Sequence, residues 1–387
     1  MKIQQLDKTY IAGTYGRFPV TLVSGKGSRV VDENGKEYTD LGSGIAVTSF
    51  GIADGAWTEA VTRQLTTLQH TSNLYYTEPC VRLAQMLCER TGMKKVFFGN
   101  SGAEANECAI KVARKYAAEK KGSENCVIIT LKNSFHGRTL TTLAATGQDH
   151  YHELFQPLTP GFAHAEPNDL KDMERLLDTL PAAGILLECI QGEGGVKVME
   201  DEYLRGVERL AKERDVLLMI DEVQTGNGRT GDFYAYMHAG LHPDVVSTAK
   251  GLGGGLPIGA CLIGEKAQNV LGPGDHGSTF GGNPVACAGA VSIIGRVTDD
   301  LLEEVRQKGD LIRETLKDAP GVREVTGRGL MVGILPETKS ASDVVKACME
   351  AGVLCLTAKD RVRLLPALNI PQEELESALR VLVKALA

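Results

Sequence analysis

No run of this 387-residue chain is apolar over the length a membrane helix needs, so a helical span is not expected within it. Basic residues are not in surplus. Forty-two Lys and Arg stand against 49 Asp and Glu, a net charge of −7, which leaves nothing to neutralise a phosphate backbone and argues against nucleic acid as a partner. Nine cysteines, an odd number, form no C-x-x-C pair or other metal-ligand spacing. Cys108, Cys189 and Cys261 instead fall inside apolar stretches, where cysteine behaves as a small hydrophobe, so reduced intracellular thiols are expected. The eight histidines offer no plausible metal setting, and His150 and His152 read as solvated loop residues. Low-complexity segments and internal repeats are missing as well. The opening Met1-Lys2-Ile3-Gln4-Gln5-Leu6-Asp7 lacks the apolar core of a signal peptide, which makes the cytoplasm the expected location.

What is present is a chain long enough for two domains and a large core. Val127 to Thr130, Ile185 to Ile190, Val216 to Ile220 and Gly259 to Ile263 are short apolar runs without alternation. Such runs predict strands covered on both faces, in an α/β architecture with a mostly parallel sheet between helices. Apolar or small residues at Ala105, Cys108, Ala109, Val112, Ala113 and Tyr116 mark one face of a helix. Residues 22 to 42, with Gly25-Lys26-Gly27 and Asp32-Glu33-Asn34-Gly35, predict short hairpins. Ligands of such sheets sit beyond the carboxyl ends of the strands. Ser101, Arg138 and Asp221 each follow a strand closely, so all three can converge on one crevice.

Two residues suggest what the crevice holds. Asp221 stands where the run Val216 to Ile220 stops, and Lys250 opens onto Gly251-Leu252-Gly253-Gly254-Gly255. Lysine and aspartate are almost never buried unless paired. Pyridoxal phosphate uses both: an aldehyde that a lysine captures as a Schiff base, and a ring nitrogen that a carboxylate keeps protonated. Burial would free the amine by disfavouring its charged form. By themselves the two residues fit a capped turn and a solvated lysine equally well. Ser101-Gly102-Ala103, between a strand and a helix start, adds a ready anion site for a phosphate.

Longer matches narrow the choice. Asp221-Glu222-Val223-Gln224 followed by Gly226-Asn227-Gly228-Arg229-Thr230-Gly231 and then Lys250 resembles the class-III (fold-type I) pyridoxal-phosphate aminotransferases. His70 to Tyr76, Phe135-His136-Gly137-Arg138-Thr139, Gln191-Gly192-Glu193-Gly194-Gly195-Val196 and Ser278 to Pro284 extend the resemblance over nearly the whole chain. It implies a large cofactor-binding domain over 48–275 and a smaller α+β domain made from both ends, 1–47 and 276–387. Lys250 is then the Schiff-base lysine and proton shuttle, and Asp221 the partner of the pyridine nitrogen. Gly102 and Ala103 bind the phosphate, Phe135 stacks on the ring, Gln224 bonds the ring hydroxyl, and Glu222 and Val223 complete the cofactor contacts. Thr279 and Ser278 are implied to reach the site of a second subunit in a homodimer. Arg138 grips a substrate carboxylate, while Glu193 neutralises Arg363 until a second carboxylate arrives. Of the class, the members acting on N-acetylornithine look nearest, with 2-oxoglutarate as acceptor and glutamate as product. Ornithine, succinylornithine and 4-aminobutyrate are the alternative donors.

The chain departs from the family at Gly51-Ile52-Ala53-Asp54-Gly55-Ala56-Trp57, where relatives usually carry a histidine-containing segment, and at Cys189, which replaces a common proline. The first departure leaves that loop without an assigned role, and the second puts the rigidity of the Gln191 to Glu193 loop in question. A dinucleotide-binding reading of Gly251 to Gly255 fails on context. Pro257 and a further strand follow the glycines, where that fingerprint needs a helix.

Overall fold

Apolar runs without alternation build the central sheet. The computed structural model describes residues 3–387. Its seven-stranded sheet has the order Lys95–Gly99, Gly259–Ile263, Val245–Thr248, Leu217–Asp221, Ala182–Leu187, Val127–Leu131, Phe162–Ala165. Every residue of Ala182–Leu187, Leu217–Asp221, Val245–Thr248 and Gly259–Ile263 is buried, as strands covered on both faces must be. Gly259–Ile263 runs antiparallel to both neighbours. The other pairings are parallel. The carboxyl ends at Gly99, Leu131, Leu187, Asp221 and Thr248 therefore open on one side.

The helix Gly102–Lys121 starts where Ser101 Oγ accepts the Glu104 N–H at 3.1 Å, and it buries Ala105, Cys108, Ala109, Val112, Ala113 and Tyr116. The strand expected over Ile185 to Ile190 stops at Leu187. Glu188 needs donors that a central ladder does not provide. It finds them in the backbone N–H groups of Phe135 (3.0 Å) and Gly192 (3.3 Å), past the strand end.

The two ends of the chain meet in space. Leu22–Lys26, Arg29–Asp32 and Glu37–Asp40 form the expected antiparallel set, and Val353–Leu354 joins it in parallel with Glu37–Asp40. A second sheet runs Val322–Arg328, Met331–Pro336, Arg361–Leu364, Leu356–Ala358. Leu41 and Phe50 share a core with Leu301, Val332, Val362 and Leu379. The helix Pro284–Ile294 instead packs Ala286, Cys287 and Ala290 into the core of the large sheet. Ile293 of the same helix joins the core that holds Leu41 and Phe50, so this helix lies between the two cores. Among the described residues no helix is long and apolar enough to cross a membrane.

Candidate active site

A cavity of about 420 Å³ opens beyond the carboxyl ends of the strands, lined among others by Gly102, Phe135, Arg138, Asp221 and Lys250. Asp221 is 3% exposed, and its carboxylate is fixed by three donors. Asn106 Nδ2 (2.7 Å) and His136 Nδ1 (2.8 Å) reach Oδ2, while the Val223 N–H reaches Oδ1 at 2.9 Å. Three donors on two oxygens keep the group oriented.

Lys250 follows the strand Val245–Thr248 in a left-handed backbone conformation, φ 46°, which a side-chain-bearing residue adopts at a cost of about 1 kcal/mol. Its neighbours hold it there. Asn227 Nδ2 donates to Ala249 O (3.2 Å) and Thr248 Oγ1 (3.0 Å), and Ser49 Oγ donates to Gly251 O at 3.1 Å. Trp57 Nε1 ties down the glycine run through Gly253 O at 3.0 Å, so the departed 51–57 segment has a structural task. The Lys250 amine has no hydrogen-bond or ion-pair partner among the described residues and lines the cavity. Burial pushes its pKa below the ordinary value, against the opposing pull of Asp221 and Glu193.

At the helix start, Gly102 and Ala103 line the cavity with backbone N–H groups that have no intrahelical acceptor. A Cβ on Gly102 would lie 2.6 Å from Val223 Cγ1, so only glycine admits the close approach of these two cavity walls. Gln224 links the cavity to a buried ion pair. Its Nε2 donates to Glu193 Oε1 at 3.3 Å, and its Oε1 accepts from Arg363 at 3.0 Å. Arg363 meets Glu193 at 2.6 Å and is only 3% exposed at its side chain. Burial alone would push the Glu193 carboxyl up, but the Arg363 guanidinium outweighs it and holds the group below its usual range.

The structure brings Gly102, Ala103, Phe135, Arg138, Asp221, Val223, Gln224 and Lys250 to one cavity, with Glu193 and Arg363 joined through Gln224. Glu222 does not line the cavity. Its carboxylate faces the interior, accepting from Thr225 Oγ1 (2.6 Å) and the Tyr236 N–H (2.8 Å), and burial pushes its pKa to about 7. Ser278 and Thr279 do not line the cavity of their own chain. His152 is 9% exposed, with Nε2 at 2.9 Å from Leu143 O, rather than solvated. The loop after Cys189 is held by a small hairpin, Ile190–Gln191 against Lys197–Val198.

Sequence reading gave no role to four residues that brace the site. Asn106 and His136 hold Asp221, and Asn227 holds the backbone before Lys250. Arg229, 2% exposed, donates to Leu330 O (3.2 Å) and Pro366 O, which fastens the strand carrying Arg363 to the large sheet. Asn227 and Arg229 lie inside the glycine-rich motif, so their identity was visible while their contacts were not.

A lysine biased toward its neutral form beside a fixed carboxylate suits amine chemistry at a carbonyl-bearing ring. The chain belongs to the class-III aminotransferases, whose family model matches residues 10–386. Among particular relatives, an acetylornithine aminotransferase of Haemophilus ducreyi is 50% identical over 387 residues, covering 100% of this chain and 98% of the relative. One from Aquifex aeolicus is 47% identical, covering 98% of this chain and 100% of the relative. Of solved structures, ornithine aminotransferase from Toxoplasma gondii superposes with a TM-score of 0.94 at 34% identity, over 99% of this chain and 94% of that one. N-acetylornithine aminotransferase from Stenotrophomonas maltophilia gives 0.85 at 34% identity, over 98% and 97%.

Proposed function

We propose that this chain transfers the δ-amino group of N-acetylornithine to 2-oxoglutarate with pyridoxal 5'-phosphate as cofactor, a step of arginine biosynthesis yielding glutamate. Lys250 carries the reading: an unbonded amine, weakened as a cation by burial, opens into the cavity that Asp221 lines. The relatives named for acetylornithine supply the substrate class. The residues present fit the cofactor, since the cavity offers a free amine, a fixed carboxylate and unpaired N–H groups in one volume.

What pyridoxal phosphate supplies when bound is an aldehyde that takes up the amine and a protonated ring that accepts electrons. Asp221 holds the proton on the ring nitrogen. Lys250 removes and returns the proton at the carbon bearing the transferred amine. Gly102 and Ala103 bind the phosphate through their N–H groups, Phe135 covers a ring face, and Gln224 orients the ring hydroxyl. Arg138 takes the α-carboxylate of N-acetylornithine. With Glu193 paired to Arg363, the end of the site near Gln224 presents no free cation to the donor. Release of Arg363 then provides for the second carboxylate of glutamate.

The same reading includes a homodimer in the cytoplasm. Asn73 Nδ2 ties the Ser278–Gly281 loop to the tract His70 to Tyr76 through Ser278 O (3.0 Å) and Gly281 O (2.8 Å). Leu74, Tyr75, Tyr76 and Phe280 stand 87, 69, 100 and 60% exposed, an apolar face that a second copy would cover while Ser278 and Thr279 reach its cofactor.

Offered N-acetylornithine, ornithine, succinylornithine and 4-aminobutyrate in turn, the yellow cofactor-loaded protein is expected to bleach rapidly with the first alone. Addition of 2-oxoglutarate should restore the colour. Bleaching by another amine would replace the substrate and leave the chemistry; a protein that stays colourless with cofactor would end the reading. In the same assay Glu193→Ala should slow the N-acetylornithine half-reaction far more than the glutamate half-reaction, and equal losses count against a Glu193 gate.

A further inference from the structure

Arg138 differs from the other arginines around the cavity in how it is held. Arg363 is neutralised by Glu193, and Arg229 is spent on carbonyl oxygens. Arg138 is exposed at the cavity wall and has no hydrogen-bond or ion-pair partner among the described residues. A long side chain with no polar partner samples many rotamers, and fixing it when a substrate binds weakens the binding. Two aromatic rings limit that freedom here. The guanidinium carbon lies 4.1 Å from the centroid of the Tyr151 ring and 5.4 Å from that of Phe135. The two rings stand 6.0 Å apart at 74°, so the guanidinium sits in a corner with nearly perpendicular walls. Cation–π attraction to the ring faces leaves N–H donors of the guanidinium free for a carboxylate.

Tyr151 is itself anchored. It ends the short turn Asp149–Tyr151, and its N–H donates to Gln148 O at 3.1 Å. Buried residues flank that turn on both sides: Gln148 Nε2 donates to Ser134 O (2.9 Å), and His152 bonds Leu143 O (2.9 Å). The His150 ring packs against Tyr151 with centroids 3.9 Å apart. The ring is thus a wall set by the fold.

We propose that Tyr151 is a positioning residue for substrate selection: by stacking on Arg138 it presets the guanidinium to grip a carboxylate and makes the carboxylate a requirement for good donors. The proposal rests on the reading that Arg138 takes the substrate's α-carboxylate. Its test compares two donors on one preparation, N-acetylornithine and N-acetyl-1,4-diaminobutane, the same molecule without the carboxylate. The ratio of their kcat/KM values measures carboxylate preference and is independent of the fraction of active protein.

Tyr151→Leu is expected to lower that ratio on the order of tenfold, chiefly through the KM of N-acetylornithine. Tyr151→Phe, which keeps the ring, should restore it to within about twofold, and Arg138→Leu should abolish the preference. An unchanged ratio in Tyr151→Leu alongside a collapsed one in Arg138→Leu would overturn the role of Tyr151 and leave the Arg138 anchor standing. An unchanged ratio in Arg138→Leu would remove the anchor, and Tyr151 with it. Equal slowing of both donors in Tyr151→Leu would reduce the ring to a folding role and also overturn the proposal.

Discussion

The Lys250→Ala protein is expected to turn over at least ~10³-fold more slowly while folding as well as the parent or better. Removal of a placed proton-transfer group lowers rates by about 10²–10⁴, and this amine is proposed to serve the carbonyl step as well. The folding half follows from the direction of the Lys250 pKa. Burial holds it below its ordinary 10.5 in the folded protein. Below that value the unfolded chain binds more protons at this side chain than the folded one, so folding is opposed at neutral pH. The opposition shrinks as pH rises from the depressed folded-state value toward 10.5 and is gone above it. Because the amine makes no hydrogen bond in return, alanine relieves the penalty, and the cofactor-free variant should melt no lower than the parent. Borohydride treatment followed by peptide mapping checks the assignment, since cofactor mass should remain on the peptide containing Lys250 and vanish from the variant. Retention on a different lysine, or turnover within tenfold of the parent, would remove Lys250 from the mechanism.

Asp221→Asn should be nearly as damaging, and for a reason visible in its hydrogen bonds. The carboxylate receives Asn106 Nδ2 and His136 Nδ1 on one oxygen and the Val223 N–H on the other. An amide has one acceptor oxygen, so either orientation turns its NH₂ toward a donor and leaves that donor unpaired. A stranded buried donor costs about 1–3 kcal/mol, which should appear as a lowered Tm. The loss in rate should lie on the order of 10²–10⁴ if, as proposed, the carboxylate holds the ring nitrogen's proton, which an amide cannot do. A cofactor analogue whose ring nitrogen carries a fixed positive charge separates the two effects. It should recover part of the lost rate without recovering the Tm. Failure of the analogue to raise the rate, in a variant shown to bind it, would assign Asp221 to structure alone.

Both substitutions fall on residues legible from sequence, because each interrupts a pattern. Asp221 ends an apolar strand run and Lys250 opens a glycine run. A charged residue at such a boundary is an exception to local burial rules, which singles it out, while its role came from the longer motifs around it. Asn106, His136 and Asn227 were less legible for the opposite reason. Asn106 lies on the buried side of a regular helix, and its bonds to Asp221 and Ser247 span 115 and 141 residues of chain. No local periodicity encodes contacts at that separation. Glu222 shows how tertiary structure turns a neighbour away: the resemblance implies a cofactor contact, but successive side chains at a strand end point to opposite faces, and its carboxylate is turned to Thr225 and Tyr236.

Sequence by itself determined the strands and helices of an α/β fold through short-range rules: periodicity along a strand or helix, glycine at a close approach, and charge at an element's end. The lysine, carboxylate and small-residue turn proposed for the site were picked out by longer motifs that resemble a family. Tertiary structure decided which end pairs with which, as in the junction of Val353–Leu354 with Glu37–Asp40, and where the two cores divide. It also decided how each functional group is held: three donors on Asp221, Asn227 behind Lys250, and two perpendicular rings around Arg138. Those arrangements are made between side chains far apart in the chain. Packing of the whole molecule selects them, because only there do the desolvation of a charge and the donors that offset it occur together.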